Sequence, residues 1–132
     1  MEKPKILKDL IERDFGVITG RLVSKIVEMC APNILRGELV TYCIDPDGSE
    51  TFPQLIKRAK KLLKKLQKKH PIGNILLVTH GDFGKMLYTA FYNLDWRDVL
   101  MGFHFGNSDL LKLSNDIKAE DAHVVELKQY NH

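Results

Sequence analysis

Cysteine is scarce in this sequence, with Cys30 and Cys43 the only two in 132 residues. That is too few for a disulfide scaffold. Thirteen positions apart, they make neither a CxxC redox pair nor a zinc-ligand pattern, and they read as reduced thiols in a cytoplasmic protein. Long apolar runs are missing as well. None approaches the ~20 residues needed to cross a bilayer, and Met1-Glu2-Lys3-Pro4-Lys5 lacks the apolar core of a signal peptide. Nine glycines and five prolines are too few and too scattered to form a linker, and there is no internal repeat. Residues 1–132 therefore read as a single domain. With 44% hydrophobic and 28% charged residues, a disordered, collagen-like or coiled-coil chain is excluded. A chain of this length buries roughly two-thirds of its unfolded surface without a disulfide or metal staple.

Acidic residues are absent from one stretch. Residues 52–69 carry eight basic groups and no acid, leaving 12 basic against 17 acidic groups elsewhere. Within it Phe52, Leu55, Ile56, Ala59, Leu62, Leu63 and Leu66 recur at steps of three and four, which draws one apolar stripe down an α-helix. The lysines lie opposite that stripe and no aromatic residues interleave with them. They read as a solvated face, and neither a nucleic acid nor a membrane is expected as a partner. Ser49 or Thr51 can cap the helix, Glu50 suits the positive end of its dipole, and Pro71 and Gly73 stop it.

The next segment, residues 74–79 (Asn-Ile-Leu-Leu-Val-Thr), is continuous and apolar, the pattern of a strand buried on both faces inside a parallel sheet. His80-Gly81-Asp82 reads as a tight turn, residues 83–94 as a helix and residues 96–100 as another. Residues 109–114 and 123–128 read as an antiparallel strand pair joined by a polar loop over 115–122. Upstream, residues 6–11 fit a strand or a short helix, 21–29 a helix, and 31–47 mostly irregular chain. Together these predict a three-layer α/β domain.

Ligands of open α/β sheets bind beyond the carboxyl ends of the strands, and His80 is placed there. Gly81 allows close approach of the backbone, and the N–H groups opening the following helix favour an anion. A histidine so placed is suited to bind or protonate a phosphate, and equally to be a satisfied structural histidine. His70, His104, His123 and His132 read as surface or packed residues, and no metal-ligand spacing is present. Arg13 and Asp14 read as paired with each other or with solvent; Arg21 and Arg58 could donate to an anion, with a surface role the leading reading for both. Phe15, Phe83, Phe91, Trp96, Phe103 and Phe105 read as core or core edge.

The run Leu76-Leu77-Val78-Thr79-His80-Gly81-Asp82 resembles the second-histidine motif of the histidine phosphatase superfamily, the phosphoglycerate mutase-like proteins. Leu10-Ile11-Glu12-Arg13-Asp14-Phe15-Gly16, followed by Gly20, is similar to that family's Leu-x-Glu-x-x-Phe/Tyr-Gly-x-x-x-Gly segment. Asp47-Gly48-Ser49-Glu50 resembles its Gly-Glu-Ser stretch, with order and register changed, and Asn107 resembles the asparagine before a late strand. All four segments stand in family order.

The resemblance implies a three-layer α/β/α fold with a mostly parallel sheet, and phosphoryl transfer through a phosphohistidine with neither metal nor other cofactor. It implies that His80 contacts the transferred phosphoryl group, that Glu12 is the proton donor or acceptor, and that His80, Gly81, Asp82 and Asn107 bind phosphate. The implied ligand is a phosphorylated small molecule or a phosphoprotein.

One departure stands out. The family's nucleophile sits in an Arg-His-Gly motif after its first strand, and this chain has no Arg-His pair; its one His-Gly is at 80–81. The family's early strand–helix–strand section would precede Ile6. The expectation is therefore a truncated or degenerate member, matching the C-terminal portion of the family fold, or a non-catalytic phosphate-ligand or protein-binding module on the same scaffold. Strand 74–79 would then lack its neighbour and pair by rearrangement within the chain, with a second copy, or with a complementing chain.

Overall fold

Where the apolar stripe is longest, the chain folds as the spacing predicts. In the computed structural model, which describes residues 3–125, the first helix to consider runs Phe52–Lys69. Thr51 starts it through a capping box: its hydroxyl accepts the Gln54 N–H, and the Gln54 side chain accepts the Thr51 N–H at 2.8 Å. Phe52, Leu55, Ala59, Leu62 and Leu66 are buried along one face. A second helix, Gly81–Tyr92, buries Phe83, Met86 and Leu87 against that face and ends at Asn93 in the left-handed region, φ 53°. Gly84 has no room for a side chain, because the ring of Phe105 lies where a Cβ would stand.

Numbered in chain order, α1 is Val23–Cys30, β1 Ile34–Arg36, β2 Thr41–Cys43, α2 Phe52–Lys69, α3 Gly81–Tyr92, α4 Trp96–Gly102, β3 Leu110–Leu111 and β4 His123–Val125. The α2–α3 pair is the centre of the main core, joined by Tyr42 from β2 and Leu100 from α4. Trp96 stacks on Phe52 with ring centroids 5.1 Å apart. A smaller core forms around Tyr88, Val99 and Ala122 under β3–β4.

Residues 31–47 are more ordered than the sequence suggests. They contain an antiparallel hairpin pairing Leu35 with Tyr42, closed where the Gly37 N–H donates to the Val40 carbonyl. Its strands are three residues long, too short for a period of two to show. Of the two alternatives for residues 6–11 the short helix forms, as a single 3-10 turn at Lys8–Leu10. Cys30 and Cys43 form a disulfide joining α1 to β2, which corrects the reading of two reduced thiols. Folding brings α1 back over the hairpin, a proximity that spacing in sequence does not reveal.

The largest correction concerns residues 74–79. They form neither helix nor strand, no strand among the described residues pairs with them, and Leu76 and Val78 are 78% and 80% exposed. They are not a strand buried on both faces. Among the described residues the sheets are two antiparallel pairs, β1–β2 and β3–β4, and no parallel pair forms. The expected pairing of 109–114 with 123–128 is met by Leu110–Leu111 against His123–Val125. Residues 126–128 and His132 lie outside the described residues. No described helix is long and apolar enough to cross a membrane.

Candidate phosphate site at the head of helix α3

The chain enters α3 through His80, which is extended (φ −116°, ψ 173°) and exposed. Its carbonyl accepts the Gly84 N–H at 2.8 Å, so the residue begins the helix while its imidazole faces solvent. The next amides would be orphans of the first turn. Glu12, some seventy residues earlier, satisfies two of them: its carboxylate accepts the Asp82 N–H at 3.2 Å and the Phe83 N–H at 3.0 Å. It also accepts the Arg13 N–H at 2.9 Å. A carboxylate at this position is favoured by the helix dipole.

Two arginines hold Glu12 in place. Arg58, on α2, donates to the carbonyls of Asp9 and Ile11 at 2.8 and 2.9 Å, and pairs with the Glu50 carboxylate at 2.8–2.9 Å. Its guanidinium lies 4.1 Å from the Phe83 ring centroid. Glu50, just ahead of α2, thus also pairs with Arg58. Arg13 is 3% exposed, which corrects the reading of a surface residue paired with Asp14 or solvent. It donates to the carbonyls of Glu50, Cys43 and Ile44 at 2.7, 2.9 and 2.7 Å, stitching residues 12–14 to the hairpin. Burial lowers its pKa, opposed by Asp82, Glu12, Glu50 and Asp45.

Beneath the helix start, Asp82 stands between two cations, with Arg13 Nη1 at 3.9 Å and Lys85 Nζ at 4.0 Å. Burial is the foremost influence and raises the Asp82 carboxyl above its usual range; Lys85 opposes this, Glu12 reinforces it and Arg13 opposes it. Lys85 is itself buried and donates to the Tyr42 hydroxyl at 2.8 Å. Thr79 ties the incoming segment to the same place by donating to the Leu10 carbonyl at 2.8 Å.

The fold thus brings Glu12, His80, Gly81 and Asp82 together. Gly81 lies between Glu12 and the Phe105 carbonyl, each about 4 Å from where a side chain would begin. Asn107 sits on an exposed turn in which the Gly106 N–H donates to the Asp109 carboxylate at 2.8 Å. Sequence reasoning missed Arg13, Arg58, Lys85 and Tyr42 as members. Arg13 adjoins Glu12, and Lys85 follows Asp82 by one helical turn, the one local signal available. A surface groove of about 640 Å³ along α1, lined by Gly20, Arg21, Leu22, Lys25, Glu28 and Met29, contains none of these residues.

Chemically, this is an exposed histidine and a carboxylate at one helix start, backed by two buried cations. It can attract an anion and move a proton at its edge. A family model described as the histidine phosphatase superfamily (branch 1) matches residues 2–127. Neither a curated protein nor a solved structure matches the chain.

Proposed function

The chain belongs to the histidine phosphatase superfamily, and from that premise we propose that the head of α3 is a phosphoryl-transfer site lacking its own nucleophile. His80 contacts the phosphoryl group of a phosphorylated small molecule or phosphoprotein. Gly81, Asp82 and Asn107 contribute to the phosphate cradle. Glu12 gives or takes the proton at the ester oxygen. The nucleophile, which divides one hard displacement into two easier ones, comes from another polypeptide segment. That segment pairs with residues 74–79 and completes a three-layer α/β/α arrangement with a mostly parallel sheet. Neither metal nor cofactor enters the proposal, and the proposed setting is cytoplasmic.

The observation that supports this reading is the convergence of Glu12 and His80, some seventy residues apart in the chain, on one helix start. A second reading has its own support. Glu12 already accepts two of the amides that would hold an anion, and no Arg-His pair exists in the sequence. Both favour a non-catalytic phosphate-ligand or protein-binding module.

An assay of p-nitrophenyl phosphate hydrolysis and of phosphate-ester binding, on the chain and on its His80→Ala variant, separates the two. Turnover abolished in His80→Ala supports the enzyme. Binding without turnover, weakened at least tenfold in the variant, supports the module. Neither turnover nor binding in the parent chain refutes both.

A further inference from the structure

We propose that the Cys30–Cys43 disulfide is a redox switch for the head of α3, ordering that helix start when closed and loosening it when a dithiol reductant opens it. Its effect on ligands rests on the anion-site reading above. Its effect on the backbone does not.

Three observations carry it. The first is what α1 hangs from. Cys30 is the one buried residue of this eight-residue helix, while Val23 and Met29 are 82% and 47% exposed. Cys30 and Cys43 form a small core of their own with Ile18, edged by Phe15, Ile26 and Ile34, apart from the main core around α2 and α3. A helix of this length does not hold its shape in water without tertiary anchoring. The disulfide ties α1 covalently to β2, so opening it withdraws an anchor that α1 has little to replace.

The second is what β2 carries. The Cys43 carbonyl accepts Arg13 Nη1 at 2.9 Å, and the next carbonyl, of Ile44, accepts Arg13 Nη2 at 2.7 Å. On the other side in sequence, the Tyr42 hydroxyl accepts Lys85 Nζ at 2.8 Å. Those two cations flank Asp82 at 3.9 and 4.0 Å. Arg13 is also the neighbour of Glu12, whose carboxylate holds the Asp82 and Phe83 amides. Three consecutive residues, 42 to 44, thus connect the sulfur bridge to both buried cations of the helix start. The bridge is a two-state element at the head of that chain of contacts.

The third is that reduction has a single target. The sequence has two cysteines, and both are in this bond. In the proposed cytoplasmic setting a disulfide is more often transient and redox-sensing than structural. The exchange is a two-electron step. One thiolate of an external dithiol attacks a bridge sulfur, forming a mixed disulfide, and the other cysteine leaves as a thiolate and takes a proton. The reductant's second thiolate then displaces the remaining cysteine, which is protonated in turn, and the reductant departs as a disulfide. Both bridge sulfurs belong to buried residues, so attack follows a local opening of α1.

The test compares one chain in two states, oxidised and after dithiothreitol, by amide hydrogen exchange, with circular dichroism as a check on the fold. Exchange of the Asp82 and Phe83 amides reports whether Glu12 stays in place. Reduction should speed exchange at least tenfold both in α1 and at these two amides, reversibly on reoxidation, in a chain that stays folded. Inorganic phosphate, titrated by calorimetry, should bind the reduced chain at least threefold more weakly. Faster exchange in α1 alone overturns the switch, because the bridge then does nothing beyond its own helix. So does a reduced chain that unfolds altogether, which makes the bridge a staple, or a chain whose two thiols resist closure by an oxidised dithiol. Equal phosphate affinity in the two states overturns it as well. Phosphate bound in neither state, with exchange at Asp82 and Phe83 still redox-dependent, upholds the switch and refutes the anion-site reading instead.

Discussion

Helices α2 and α3 and the segment between them make an instructive comparison, because all carry apolar residues and are adjacent in sequence while only the helices bury theirs along a face. Phe52, Leu55, Phe83 and Met86 are fully enclosed, whereas Leu76 and Val78 face solvent. A helix closes its backbone hydrogen bonds within itself and needs a neighbour only for one stripe of side chains. A strand must borrow its hydrogen bonds from other strands, and an isolated one has nothing to hold it in a sheet. Apolar side chains therefore produce a finished core in one region and stay exposed in the next.

The contrast can be tested from its strongest side downward. Phe52→Ala removes a fully buried ring that stacks on Trp96 and should cost about 3–5 kcal/mol in denaturant unfolding. Arg13→Ala leaves three carbonyls unsatisfied, and a loss of roughly 3 kcal/mol is expected, with faster amide exchange across the β1–β2 hairpin.

Asp82 gives a test in pH. Its folded-state pKa lies above the ordinary carboxylate value, chiefly through burial, so the folded state holds the proton more tightly than the unfolded state does. Stability should fall as pH rises from the ordinary carboxylate value through the raised one, and Asp82→Asn should flatten that slope. Leu76→Ala closes the series: within a single chain it should change stability by no more than about 0.5 kcal/mol, despite removing as large an apolar side chain as any core leucine.

How much of this was legible in the sequence follows the same division. The α2 stripe, its start at Thr51 and the α3 pattern were readable because helical periodicity is local. Segment 74–79 was read as a buried strand and forms none, because pairing and burial are properties of neighbours, and no count of apolar residues reveals whether those neighbours exist. Glu12 and His80 were singled out through the family motif, and the fold brings both to the head of α3. Arg13 was taken for a surface residue because charge alone carries no information about three carbonyls arriving from residues 43, 44 and 50. The disulfide was missed for the same reason, since the approach of Cys30 to Cys43 depends on the tertiary path of α1.

Glu12 has one more consequence. Because its carboxylate already holds the amides of Asp82 and Phe83, a phosphate monoester settling at this helix end exchanges one resident anion for an incoming one. Recognition then measures the difference between two anions, so affinity should climb as the ester loses its second proton near pH 6. Carboxylate metabolites, which offer nothing that Glu12 lacks, should be turned away.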